Sequence, residues 1–124
     1  MDNCILIYDD EVSILEVMKI ILEEEGFKVI TSPNGETVFE DIEKYHPNLI
    51  LLDIWMKGIN GNEITEKLKA DPKTKNIPVV LISALNETEV IANKVGADGY
   101  LKKPFDMDAL VKMVNEKIAS DKSA

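Results

Sequence analysis

Short runs of apolar residues alternate along the chain with segments in which apolar residues recur every three or four positions. A short uninterrupted apolar run is typical of a strand buried on both faces, whereas the longer spacing indicates an amphipathic helix. The predicted strands cover 4–8, 27–31, a run from 49 with Asp53 at or just past its end, 77–83 and 100–102. The predicted helices cover 12–25, 38–45, 60–70, 86–95 and a last segment that Asp106 opens.

Several polar residues stand where a helix would begin. Asn60 and Asn86 each have a glutamate three positions later, a pattern that resembles a capping box, and Asp106 precedes the last apolar stripe. With these boundaries, strand and helix alternate five times with short connections. Strict alternation predicts an α/β fold: a doubly wound parallel sheet with right-handed crossovers and helices on both faces.

Composition narrows the class of protein. With 124 residues the chain is expected to form one domain over 1–124, with a polar tail at 120–124 that frays. The net charge of −9 argues against direct binding to nucleic acid and favours cations. The single cysteine, Cys4, excludes an internal disulfide, and the sequence contains neither a secretory leader pattern nor a membrane-spanning apolar run. These features predict a cytoplasmic protein without membrane insertion.

Polar residues follow the predicted strands at their carboxyl ends. Asp9 and Asp10 follow the first, Asp53 the third, Ser83 the fourth and Lys103 the fifth. In a parallel sheet these ends share one edge, where ligands bind. If the first, third and fourth strands are neighbours, three carboxylates converge, and a hard cation such as Mg²⁺ would relieve their repulsion. A lysine and a hydroxyl beside them suit a phosphoryl group, with Asp53 as its acceptor.

These residues lie in five blocks that resemble the receiver domain of two-component response regulators, of the single-domain chemotaxis type. The blocks are ILIYDDE at 5–11, LILLDIWM at 49–56, VVLISA at 79–84, GADGYL at 96–101 and KPF at 103–105. The resemblance spans about 3–118 and implies a flavodoxin-like (βα)5 fold with strand order 2-1-3-4-5.

The resemblance also implies a role for each site residue. Asp53 matches the phosphorylated aspartate, which takes its phosphoryl group from a phosphohistidine. Asp10 matches the direct Mg²⁺ ligand and Asp9 the residue that holds the metal's waters, while the backbone carbonyl of Trp55 matches a further ligand. The remaining matches are Lys103 and Ser83 as phosphoryl contacts, Pro104 after a cis bond, and Ser83 with Tyr100 as the switch pair.

By this resemblance the chain is a signalling phosphoprotein and not an enzyme. Its implied partners are a sensor histidine kinase or a histidine phosphotransfer protein, and a downstream protein that binds the face of the fourth helix, fifth strand and fifth helix. The sequence as given predicts no output domain. It leaves open a stand-alone receiver or a piece of a longer regulator, the oligomeric state, the stimulus and the lifetime of the phosphate.

Three other functions fit the residues less well. A phosphatase of the haloacid-dehalogenase type needs a second aspartate at position 55, where this chain has Trp55. A flavodoxin-like flavin binder needs small and hydroxyl residues after the first strand, where the loop is acidic. A pseudo-receiver would lack the acid and lysine set that is present here.

Four positions depart from the family or stay open. Lys57 stands where many relatives have proline, and Ser83 replaces the commoner threonine. Trp55 and Leu85 are large apolar residues at the rim, and we hypothesise that they shield an acyl phosphate from water, although a packing role for Trp55 is equally consistent.

Overall fold

The computed structural model describes residues 3–56 and 58–123, with side chains described through residue 119 of the last helix. Its strands are β1 (Cys4–Tyr8), β2 (Lys28–Ser32), β3 (Leu49–Asp53), β4 (Trp55–Met56), β5 (Ile59–Asn60), β6 (Val79–Ser83) and β7 (Gly99–Lys102). Its helices are α1 (Val12–Glu24), α2 (Val38–Tyr45), α3 (Gly61–Ala70), α4 (Thr88–Val95) and α5 (Met107–Ser123).

The five main strands form one parallel sheet in the order β2-β1-β3-β6-β7. Counted along the chain without the short pair β4 and β5, this is the order 2-1-3-4-5, so the predicted flavodoxin-like fold is confirmed. β1 and β3 are neighbours, and β3 and β6 are neighbours, which is the arrangement that the predicted convergence of acids required.

The apolar strand runs are buried because helices cover both faces of the sheet. Alternate strand residues such as Leu6 and Leu52 face the core beneath α2, α3 and α4. The residues between them, such as Ile7 and Leu51, face the core beneath α1 and α5. With no solvated face, a strand has no reason to alternate apolar and polar residues.

Helix ends follow their capping residues in two of the three predicted places. The Asn62 N–H donates to Asn60 Oδ1 (2.8 Å) at the start of α3, and the Ala109 N–H donates to Asp106 Oδ1 (2.7 Å) at the start of α5. The predicted cap at Asn86 is wrong. α4 begins at Thr88 without a side-chain cap from Glu87, and Asn86 Oδ1 instead accepts a hydrogen bond from Lys102 Nζ (2.9 Å).

Strand boundaries differ from the prediction where the backbone serves another purpose. The Phe27 N–H donates to the Leu22 carbonyl (3.1 Å) and closes the end of α1, so β2 begins one residue later than predicted. β6 begins at Val79 because Pro78 has no N–H to give to a strand ladder. The antiparallel pair of β4 and β5, directly after β3, was not predicted.

The last helix is assigned through Ser123. The side chains of 120–124 and the backbone of residue 124 lie outside the described part of the chain. The predicted fraying of this segment therefore stays a prediction. Among the residues that the structure does describe, no helix combines the length and the apolar run needed to cross a bilayer.

Candidate functional site

Three carboxylates meet at the carboxyl edge of the sheet. Asp9 and Asp10 directly follow β1, Asp53 ends the neighbouring β3, and each residue offers an oxygen within 4.8 Å of the other two. Asp9 is fully buried and Asp53 is only 7% exposed. The sheet order therefore produces the acid cluster that the strand ends predicted.

Lys103 enters this cluster from the loop after β7. Its ammonium nitrogen lies 2.9 Å from Asp9 Oδ2, 2.9 Å from Glu11 Oε1 and 3.4 Å from Asp53 Oδ2. The Lys103 N–H donates to the Ser83 carbonyl (2.8 Å), and the Lys103–Pro104 peptide bond is cis. Burial alone would lower the pKa of Lys103, but the hydrogen bonds to Asp9 and Glu11 and the charge of Asp53 outweigh it and raise that pKa.

The cluster disfavours the charge on Asp53. Burial, and then the nearby charge of Asp9, raise the pKa of Asp53 from 3.8 to about 6, although Lys103 and the Trp55 N–H act in the opposite direction. Asp9 Oδ2 is buried, and among the described residues its partner is the Lys103 ammonium. Oxygen ligands crowded in this way are the donor set that a hard divalent cation prefers, so the residues present fit Mg²⁺.

The backbone directly after Asp53 forms a tight antiparallel turn. The chain turns through β4 and β5, and the Gly61 N–H donates to the Ile54 carbonyl (2.7 Å). A Cβ at Gly61 would lie 2.3 Å from the Asp53 carbonyl oxygen, so only glycine fits this approach. The Trp55 N–H donates to Asp53 Oδ1 (3.3 Å) and orients that carboxylate, while the role of the Trp55 carbonyl as a metal ligand stays a prediction.

A cavity of about 190 Å³ opens over Asp53, and Trp55, Ser83 and Leu85 contribute to its walls. Ser83 is buried, and its Oγ accepts a hydrogen bond from the Leu85 N–H (3.0 Å). The Trp55 side chain is 58% exposed, and Leu85 is 36% exposed. Both apolar side chains therefore border the space through which a reactant would reach Asp53.

The residues of the predicted switch pair lie on adjacent strands, β6 and β7. Tyr100 is partly buried against the core beneath α4, and its hydroxyl donates to Glu89 Oε2 of that helix (3.0 Å). Tyr100 thus connects β7 to α4 in this structure, and its role in switching stays a prediction. Lys57, the predicted departure beside the site, lies outside the described residues.

Two residues of the site were missed by the sequence reasoning. Gly61 follows the capping residue Asn60 in the sequence, and its contact with Asp53 depends on the unpredicted β4–β5 pair. Glu11 ends the block ILIYDDE, in which the resemblance implies no role for this position, although it directly follows Asp9 and Asp10. That adjacency was the available signal for Glu11, because a third acid in the same loop faces the same edge.

Comparison with known proteins agrees with this geometry. The response regulator receiver domain family matches residues 5–115. The chain is 33% identical over 120 residues to the DNA-binding response regulator MtrA of Mycolicibacterium paratuberculosis, covering 95% of this chain and 52% of that protein. It is 37% identical over 109 residues to the phosphate regulon transcriptional regulatory protein PhoB of Pseudomonas aeruginosa, covering 86% of this chain and 48% of that protein.

A solved structure of a CheY-like response regulator receiver domain protein from Methanospirillum hungatei superposes with a TM-score of 0.89 at 29% identity, covering 99% of this chain and 98% of that one. The chain spans about half the length of the curated relatives it matches. It belongs to the response regulator receiver domain family, whose members are signalling proteins of two-component systems.

Proposed function

We propose that Asp53 accepts a phosphoryl group from a phosphohistidine on a sensor histidine kinase or a histidine phosphotransfer protein. The observation that carries this proposal is the placement of Asp53 in one cavity with Lys103 and Ser83, beside Asp9 and Asp10. The Asp53 carboxylate would form the new bond to phosphorus as the phosphorus–nitrogen bond breaks, and the imidazole nitrogen would keep the bonding electron pair. The histidine-bearing partner is thus returned unphosphorylated.

In this proposal the chain's own residues bind and orient the transferred group. The Lys103 ammonium balances charge on the phosphoryl oxygens, and the Ser83 hydroxyl donates a hydrogen bond to them. Asp10 and Asp53 would hold Mg²⁺ directly, with the Trp55 carbonyl as a further ligand, and Asp9 would hold the metal through its waters. Bound Mg²⁺ would supply neutralisation of the charge that the acids and the phosphoryl oxygens bring together.

The phosphorylated protein acts as a switch and turns over no separate substrate, so we propose a signalling module and not an enzyme. Ser83 and Tyr100 would couple the charge at Asp53 to the face made by α4, β7 and α5, where a downstream protein binds. On that face Val90 is an apolar side chain with 67% exposure, which supports a partner surface. The single buried thiol, Cys4, is consistent with a reducing compartment such as the cytoplasm.

Acetyl phosphate with Mg²⁺, followed by intact-mass measurement, tests the proposal. We expect one phosphoryl adduct in the wild type and in Asp108→Asn, a variant that removes an exposed carboxylate on α5. We expect no adduct in Asp53→Asn or in the presence of a chelator. An adduct that survives Asp53→Asn would refute the acceptor assignment, and an adduct that forms equally well with chelator would refute the metal site.

A further inference from the structure

The Glu11 carboxylate contacts the Lys103 ammonium, although the two residues lie near opposite ends of the sequence. It occupies the position before the first turn of α1, where a side chain commonly caps the helix, but its carboxylate makes no cap bond. Its backbone N–H donates to Asp9 Oδ1 (2.9 Å), which fixes this residue against the acid cluster. Its side chain then reaches Lys103 Nζ at 2.9 Å, joining positions 92 residues apart.

Lys103 has three carboxylate neighbours and three ammonium hydrogens. Of these neighbours Asp53 is the most distant, at 3.4 Å against 2.9 Å for Asp9 and for Glu11. A phosphoryl oxygen on Asp53 can approach Lys103 closely only if the ammonium turns away from one of the two nearer acids.

Glu11 is the acid that can be released at the lower cost. The Asp9 side chain is fully buried, so an Asp9 carboxylate released from Lys103 would lose its ammonium partner in a place that bulk solvent does not reach. The Glu11 side chain is 54% exposed and also borders a larger groove of about 510 Å³, so its released carboxylate has both solvent and space. The exchange that frees Lys103 therefore runs through Glu11.

We propose that Glu11 is a positioning residue that holds Lys103 back from Asp53 and slows the acceptance of a phosphoryl group. The inference rests on the proposed function, because it concerns the rate of that same transfer. Loss of the Glu11 carboxylate lets Lys103 turn fully toward Asp53 before the phosphoryl group arrives. The effect is modest because one partner of the ion pair is exposed to water and screened.

The test compares Glu11→Gln with Glu16→Gln, which removes the same charge from an exposed position further along α1. With acetyl phosphate and saturating Mg²⁺, we expect Glu11→Gln to be phosphorylated about two- to fivefold faster than the wild type, and Glu16→Gln at the wild-type rate. Glu11→Asp keeps the charge but favours a cap on α1 over contact with Lys103, so we expect it to be faster than wild type as well.

A second measurement reports the contact without any phosphorylation. In ¹⁵N-labelled protein at low temperature, the Lys103 ammonium signal, assigned by its loss in Lys103→Met, should shift or broaden in Glu11→Gln and stay unchanged in Glu16→Gln. Equal rates in Glu11→Gln and wild type, equal acceleration in both glutamine variants, or an unchanged Lys103 signal would each overturn the inference. A wild-type chain that accepts no phosphoryl group would overturn the proposed function and this inference with it.

Discussion

Replacing Asp53 by asparagine should stabilise the protein at neutral pH in the absence of divalent cations. The Asp53 carboxylate lies in a buried position beside Asp9, and its pKa is raised from 3.8 to about 6. The folded state therefore binds this proton more tightly than the unfolded state does. Wild-type stability from this group is fully present below about pH 4 and is lost as the pH rises through about 6.

The magnitude follows from the same pKa. A rise of the Asp53 pKa from 3.8 to about 6 corresponds to a destabilisation of the folded wild type by about 3 kcal/mol at pH 7. Because Asp9 and Lys103 share the charge of the cluster, we expect the Asp53→Asn variant to recover about 1–3 kcal/mol. Asparagine has nearly the same shape and carries no charge. Lys103 keeps two carboxylate partners, Asp9 and Glu11, in the variant.

Urea unfolding in chelator, followed by Trp55 fluorescence or circular dichroism, measures the effect at pH 7 and at pH 4. At pH 7 we expect Asp53→Asn to have a free energy of unfolding about 1–3 kcal/mol above that of the wild type. At pH 4 the difference should shrink toward zero, because the wild-type carboxyl is then protonated when folded. The control Asp108→Asn, on an exposed position, should change stability by less than about 0.5 kcal/mol at either pH. A variant that is no more stable than wild type at pH 7, or a gain that is equally large at pH 4, would refute the reasoning.

Two further predictions concern the walls of the site. Trp55 and Leu85 border the cavity over Asp53. We therefore expect the phosphorylated Trp55→Asn and Leu85→Glu variants to lose their phosphoryl group to water about threefold faster or more than the wild type, which corresponds to a barrier lower by ~0.6 kcal/mol. An unchanged rate of hydrolysis would contradict the shielding hypothesis. Because a Cβ at Gly61 meets the Asp53 carbonyl at 2.3 Å, Gly61→Ala should cost about 1–3 kcal/mol in urea unfolding and slow phosphorylation. The nearby control Asn60→Ala should lose about 1 kcal/mol through its cap and keep the phosphorylation rate.

The order of elements could be predicted from the sequence because a strand that is buried on both faces has an uninterrupted run of apolar residues. β1 and β3 are apolar at every position before their acidic ends, and the structure buries every residue of both. The neighbours of each strand could not be predicted in this way, because an apolar run is compatible with any of the other strands as its neighbour in the sheet. The strand order therefore came from the resemblance to a family.

Two local errors arise because a polar or backbone group has a partner that its own residue type does not indicate. Asn86 has the residue type and spacing of a helix cap, but Lys102 of β7 provides its hydrogen bond. Phe27 has the residue type of a strand, but its N–H is used by the last turn of α1. The partner of Asn86 depends on how β7 packs, and the partner of Phe27 depends on the turn at Gly26, where φ is 96° and α1 ends.

The acid cluster at the sheet edge could be predicted, whereas the balance of charge within it required side-chain positions. Asp9, Asp10, Glu11 and Asp53 with Lys103 leave the site about −3 when all are ionised. A phosphoryl group on Asp53 would replace the single charge of that carboxylate by about two on the phosphoryl oxygens, and so add about one more negative charge in a buried place; one ammonium shared among three acids cannot offset it. The proposed acceptance would therefore need both a divalent cation and a movement of the Lys103 ammonium, and since Asp9 is buried we expect that movement to break the contact between Lys103 and Glu11. This is why the proposed metal dependence should be nearly absolute while the effect of Glu11 is only a change in rate.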